Sequence, residues 1–192
     1  MLEITSLEKM AYDWVKSDTP ERIKDECHCA TRDVFQARLD GMVSFLSANG
    51  KILEGDAYML AAIAGEIGNN SFDHNLGSWP DVSGIFFGYD LSGAQITIIL
   101  ADRGQGVLKT LKRVKPELKN DEEALFTAFH EKISGRAPEP RGNGLKFVRE
   151  AIEGSKRHLV FISGSAKIEL NEKINISHTE AIHGCLAVIN NI

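Results

Sequence analysis

The sequence predicts an α+β protein, with helices covering one face of a mixed, mainly antiparallel sheet. Three observations carry that expectation. Apolar residues recur at helical spacing through two long early segments. A pair of β-like runs follows, split by a short turn. The last third ends in strands, without the strand–helix–strand alternation of a parallel sheet.

The elements follow in order. Residues 1–33 read as polar helix with a break at Ser17-Asp18-Thr19-Pro20. Asp33 to Asn49 is an amphipathic helix, with Phe35, Leu39, Met42, Val43 and Leu46 on one side and Gly50 as its stop. Asp56 to Asn75 is a second long helix. Ser83–Tyr89 and Gln95–Ala101 are strands joined at Asp90-Leu91-Ser92-Gly93. Val107–Val114 and Asp121–Lys132 are helical, Ser134–Asn143 is a loop, and Leu145–Glu153 is helical again. His158–Ile162, Lys167–Leu170 and Cys185–Ile189 close the chain as strands. The organisation is a helical N-terminal extension, 1–55, and a main domain, 56–192.

Composition bounds the function. The 192 residues are 43% hydrophobic and 26% charged, enough for one sizeable core and not the make-up of a disordered chain. The balance of 22 basic against 27 acidic side chains gives −5, which argues against nucleic acid or an anionic membrane as partner. No run reaches the roughly 18 apolar residues of a membrane span. The start, Met1 to Thr5, lacks a signal-peptide pattern, and 3 cysteines cannot form a paired framework, so a reduced, cytoplasmic protein is expected.

Three clusters carry chemistry. On the second long helix, Glu66, Asn69, Asn70, Asp73 and His74 fall within an arc of roughly 140°. A solvated face would read the same way, but Gly65, Gly68, Asn69 and Asn70 together cost perhaps ~2–3 kcal/mol of helix propensity. Asparagine offers a neutral oxygen to a hard cation, and a glutamate one turn earlier can take a proton. The second cluster is Asp102-Arg103-Gly104-Gln105-Gly106, directly after a strand. A carboxylate held there can accept from an exocyclic amine such as that of adenine, although an ordinary turn has the same form. Lys109 stands where a dinucleotide-binding fingerprint needs its third glycine. The third is Arg141-Gly142-Asn143-Gly144-Leu145-Lys146, in which glycines open into a helix whose free amides suit phosphate.

The three boxes in this order resemble the GHKL family, the ATP-binding domains of DNA gyrase, the heat-shock chaperone, histidine kinases and mismatch-repair ATPases. The resemblance covers about residues 56–192 and is to the histidine-kinase-like ATP-binding domain. It implies the Bergerat fold, a two-layer α/β sandwich, and Mg²⁺ with ATP as ligands. By resemblance, Asn70 is the magnesium ligand and Glu66 the carboxylate that activates the attacking group. Asp102 reads adenine, with Gly104 and Gly106 shaping the pocket floor. Arg141, Gly142, Asn143, Gly144, Leu145 and Lys146 hold the phosphates, and Asn69, Asp73 and His74 complete the site. Residues 107–141 are the ATP lid. Cys185, after His183-Gly184, stands in place of the family's closing threonine.

The resemblance also implies a protein partner. The chain lacks the phosphoacceptor hairpin of a self-contained histidine kinase and the second domain of gyrase-type ATPases. The closest analogy, by size and layout, is a serine kinase of the anti-sigma-factor type. The alternative is a regulator whose lid grips a partner without turnover. Residues 1–55 are open to helical homodimerisation or partner docking. Smaller signals carry less. Cys27-His28-Cys29 has no Cys-x-x-Cys pair, His130-Glu131 has Ser134 where a metalloprotease helix needs histidine, and Gly50-Lys51 is followed by Ile52. Arg136 flanks the lid loop beside Arg141.

Overall fold

The structure is a computed structural model that describes residues 6–19, 23–132, 144–153 and 155–191. Among these residues it is an α+β protein with six helices and a seven-stranded antiparallel sheet.

Helix α1 (Ser6–Lys16) is followed by the short strand β1 (His28–Cys29). Helix α2 (Arg32–Asn49) starts at Thr31, whose hydroxyl accepts from the Val34 amide, and stops at Gly50 with φ 65°. Phe35, Leu39, Met42 and Leu46 are its buried stripe. Helix α3 (Glu54–Asn75) buries Leu60, Ile63, Ala64 and Ile67. The two helices meet closely because a Cβ at 68 would lie 2.4 Å from the Phe35 ring, and one at 65 would lie 3.3 Å from Leu39. The poor helix propensity of Gly65 and Gly68 therefore has a packing cause and carries no weight for function.

Strands β2 (Ile85–Ser92) and β3 (Gln95–Asp102) form the expected hairpin, turning at Gly93 with φ 63°. Helices α4 (Gly106–Leu111), α5 (Asp121–His130) and α6 (Gly144–Ile152) lead to β4 (Arg157–Ser163), β5 (Ala166–Leu170), β6 (Ile174–His178) and β7 (Cys185–Asn191). The sheet order is β1-β2-β3-β7-β4-β5-β6. The last strand thus enters the middle of the sheet and joins its two halves. β1 and β6 are absent from the sequence expectation. β1 has only two residues, and β6 is an edge strand whose residues are half-buried or exposed, so neither writes a strong alternation.

Helices on one face is the expectation that fails. Phe87, Ile98, Leu100, Phe161, Ala187 and Ile189 pack beneath the core residues of α2, α3, α5 and α6. The alternate residues Phe86, Ile99, Ala101, Leu186 and Val188 pack against Ala11, Trp14 and Val15 of α1 on the other side. Both faces of the central strands are apolar, so both need a cover. No described helix is long and apolar enough to cross a membrane.

Two glycines on adjacent helices separate space from propensity. Gly68→Ala is expected to destabilise by about 1–3 kcal/mol through overpacking against Phe35. Gly41→Ala, within α2 and with nothing within 4 Å of its Cβ position, is expected to stabilise by about 0.5–1 kcal/mol. Urea unfolding of both variants measures the two signs.

Candidate functional site

The apolar face under α3 ends in a polar row. Asp102, Cys185 and Ser163 are in direct cross-strand register on β3, β7 and β4. They continue the series of Leu100, Ala187 and Phe161 by two residues, so they face α3. Asp102 is 2% exposed. Its Oδ2 accepts from Ser71 Oγ at 2.6 Å, and its Oδ1 accepts from the Gly104 amide at 2.7 Å. The second bond is an ordinary Asx turn, but the first is a tertiary contact made by α3. Both donors are neutral. Burial pushes the Asp102 carboxyl above its usual range, against the lowering effect of those two bonds.

The loop after Asp102 is clamped by the C-terminal turn of α3. Asn75 Oδ1 accepts from the Gln105 amide at 2.9 Å, Asn75 Nδ2 donates to the Ser71 carbonyl, and Gln105 Nε2 donates to the His74 carbonyl. A Cβ at 104 would fall 2.1 Å from the Asn75 amide, so only glycine fits there. Gly106, at φ 74°, opens α4, and the Val107 amide next to it donates to Ser163 Oγ at 2.9 Å. Burial lifts the Cys185 thiol well above its usual value, the nearby Asp102 charge adds to this, and a bond to Ser163 Oγ opposes it. Cys185 is therefore a neutral donor in the row.

The other end of the stripe meets α6. A Cβ at Gly144 would lie 2.6 Å from Glu66 Oε2 and 3.4 Å from Asn70 Nδ2. α3 thus brings Glu66, Asn70 and Gly144 together and, through Ser71 and Asn75, reaches Asp102 and Gly104. A carboxylate facing the start of α6 is also favoured by the helix dipole.

The remaining expected residues divide. Asp73 forms an ion pair with Arg32 at the start of α2. Asn69 lines a groove between α2 and α3. Leu145 packs on the main core, and Lys146 Nζ lies 4.0 Å from Glu150 on its own helix. Arg141, Gly142 and Asn143, with Arg136, lie outside the described residues. Within the segment expected to be a lid, α5 buries Leu125 and Phe129 in the core and so belongs to the scaffold.

No family model matches this chain, and a search of curated proteins finds no match.

Residues Ser71, Asn75 and Ser163 have no role in the sequence reading, and Gly184 enters it only as the residue before Cys185. Ser71 and Asn75 sit on the same helix as the stripe, four residues apart, and that spacing is the one signal that could have found them. Among the described residues no group of acidic, histidine and cysteine side chains is arranged to hold a metal. The Cys27-His28-Cys29 segment is held otherwise: His28 Nε2 bonds the Ser83 carbonyl, and Arg38 lies on Cys29 Sγ.

Asp102 supplies a test of the geometry without ligand. A carboxyl raised by folding costs nothing below its unfolded value and its full penalty above the folded one. Asp102→Asn keeps an acceptor for Gly104 and removes the buried charge. At about pH 7 the variant is expected to melt no lower than the parent, and any gap in its favour to close on acidification towards about pH 4. Thermal melts across that range decide it.

Proposed function

We propose that this protein binds Mg·ATP and transfers or hydrolyses its γ-phosphate, in a site of the Bergerat type. The observation that supports this most is that one helix, α3, carries Glu66 and Asn70 against the glycine start of α6 and Ser71 against Asp102. A buried carboxylate held by neutral donors keeps spare lone pairs for an amine such as that of adenine. The start of α6 can take phosphate oxygens on its free amides.

The residues suit a magnesium ion. Asn70 carries a neutral amide oxygen suited to a hard cation, and its side chain lies with the Glu66 carboxylate at the glycine start of α6. Bound on the phosphates, the ion would neutralise their charge next to the Glu66 carboxylate. Glu66 takes the proton from an attacking water or protein hydroxyl. That oxygen forms a bond to the γ-phosphorus, the bond from γ-phosphorus to the bridging oxygen breaks, and ADP leaves with the electron pair. The protein partner and the serine-kinase analogy belong to this reading.

A second reading, a nucleotide-gated module without turnover, has its own support. Arg103 follows Asp102 and is 1% exposed on the opposite face of the sheet. It pairs with Asp81, donates to the Trp14 carbonyl and lies 5.9 Å over the Trp14 ring. A ligand on Asp102 would therefore be felt one residue away by α1.

Calorimetry with ADP and a non-hydrolysable ATP analogue tests the binding. Asp102→Asn is expected to weaken both by about tenfold or more, the worth of a hydrogen bond to a charged group. Unaltered binding would remove Asp102 from the site. In turnover, Glu66→Gln is expected to keep nucleotide affinity and lose about 10²–10⁴-fold in phosphate release. Equal, negligible release from parent and variant leaves the gated module.

A further inference from the structure

A groove of about 650 Å³ runs between α2 and α3 and includes Glu66 in its lining. Its floor is Leu39 and Gly65, and Phe147 of α6 stands over one side. Along α2 it spans Gln36 to Ser44, and along α3 Tyr58 to Asn69. At 1.5 Å per residue those edges are roughly 12 and 16 Å long. Such a length takes about four or five residues of extended chain.

Two features select the occupant. Tyr58 is 59% exposed, an aromatic edge beside the apolar floor. The charged side chains in the lining are Asp40 and Glu66, both acidic. We propose that this groove docks a basic, extended segment of a partner protein and delivers it to Glu66. The inference rests on the reading of Glu66 as the group that activates the acceptor. Glu66 serves both sides, since it faces Gly144 at the start of α6 and also lines the groove. A segment lying along α3 would bring its hydroxyl to that carboxylate from the side away from Asp102. Its positive charges would meet Asp40, which also accepts from Gln36 at 3.0 Å.

The test uses the full chain and a short fluorescein-labelled peptide of lysine, alanine and serine, with a glutamate-for-lysine counterpart. Anisotropy is read for the parent, Asp40→Lys and Ala62→Trp. Ala62 lies in the lining, exposed on α3, where a tryptophan fills the groove. The basic peptide is expected to bind the parent, to weaken with salt, and to lose about fivefold or more in each variant. Binding of the ATP analogue, measured on the same samples, is expected to stay within about twofold, since neither position is one of the proposed nucleotide residues. The proposal is overturned if the acidic peptide binds as well, if the variants bind like the parent, or if the parent binds neither peptide. It is also overturned if sedimentation shows the parent dimeric and Ala62→Trp monomeric, because the groove would then hold a second copy. Loss of nucleotide binding in the parent would instead defeat the ATP reading, and the peptide arm would still report on the groove.

Discussion

The entry of β7 between β3 and β4 is the constraint on which the rest depends. Strand β7 joins two halves of the sheet that, among the described residues, share no other strand pairing. It enters through Gly184, at φ 67°, where a Cβ would lie 2.1 Å from the Asp102 carbonyl and 2.6 Å from its Oδ1. A side chain there would need both a left-handed backbone and room that does not exist. The same approach puts Cys185 in register with Asp102 on one side and Ser163 on the other. Closing the sheet and assembling the polar row are therefore one event. Both depend on contacts distant in sequence, the kind whose loop-closure entropy slows folding.

Helix α3 covers the ends of those central strands. Its apolar face binds it to the core, Glu66 and Asn70 meet Gly144 at the start of α6, and Asn75 meets Gly104. Asn75 forces glycine at 104, and Glu66 crowds the position at 144. The glycines are thus explained by neighbours rather than by flexibility. The glycines of α3 itself belong to a different surface, where Phe35 and Leu39 of α2 press in. One helix carries both kinds of close approach.

Strand geometry gives Asp102 and Arg103 separate duties. Neighbouring side chains at a strand's end point to opposite faces. Asp102 goes under α3, where two neutral donors, Ser71 and the Gly104 amide, hold it. Arg103 goes under α1, where Asp81 and the Trp14 carbonyl satisfy it. A buried guanidinium is costly without such partners, so α1 is fixed to the loop that shapes the candidate pocket.

Much of this was legible in residue order. The helical stripe at Phe35, Leu39, Met42 and Leu46 and the stop at Gly50 follow from spacing and from glycine's freedom, both local properties. So does the hairpin, although its turn falls at Gly93-Ala94 rather than earlier, because the strands run on through Leu91 and Ser92. The stripe from Glu66 to His74 was visible as a stripe. Its division was not: Asp73 turns to Arg32, Asn69 to the groove, and Asn70 to Gly144. The cover of the second sheet face by α1 was equally hidden, since the strands Ile85–Phe87 and Ile98–Ala101 are apolar throughout and do not say which residue faces which layer. The sequence by itself determined the elements and the residue types able to do chemistry, because those rest on periods of a few residues. Only the tertiary structure decided which of them meet, because Ser71 with Asp102, Gly184 with Asp102 and Gly144 with Glu66 are joined across dozens of residues by packing alone.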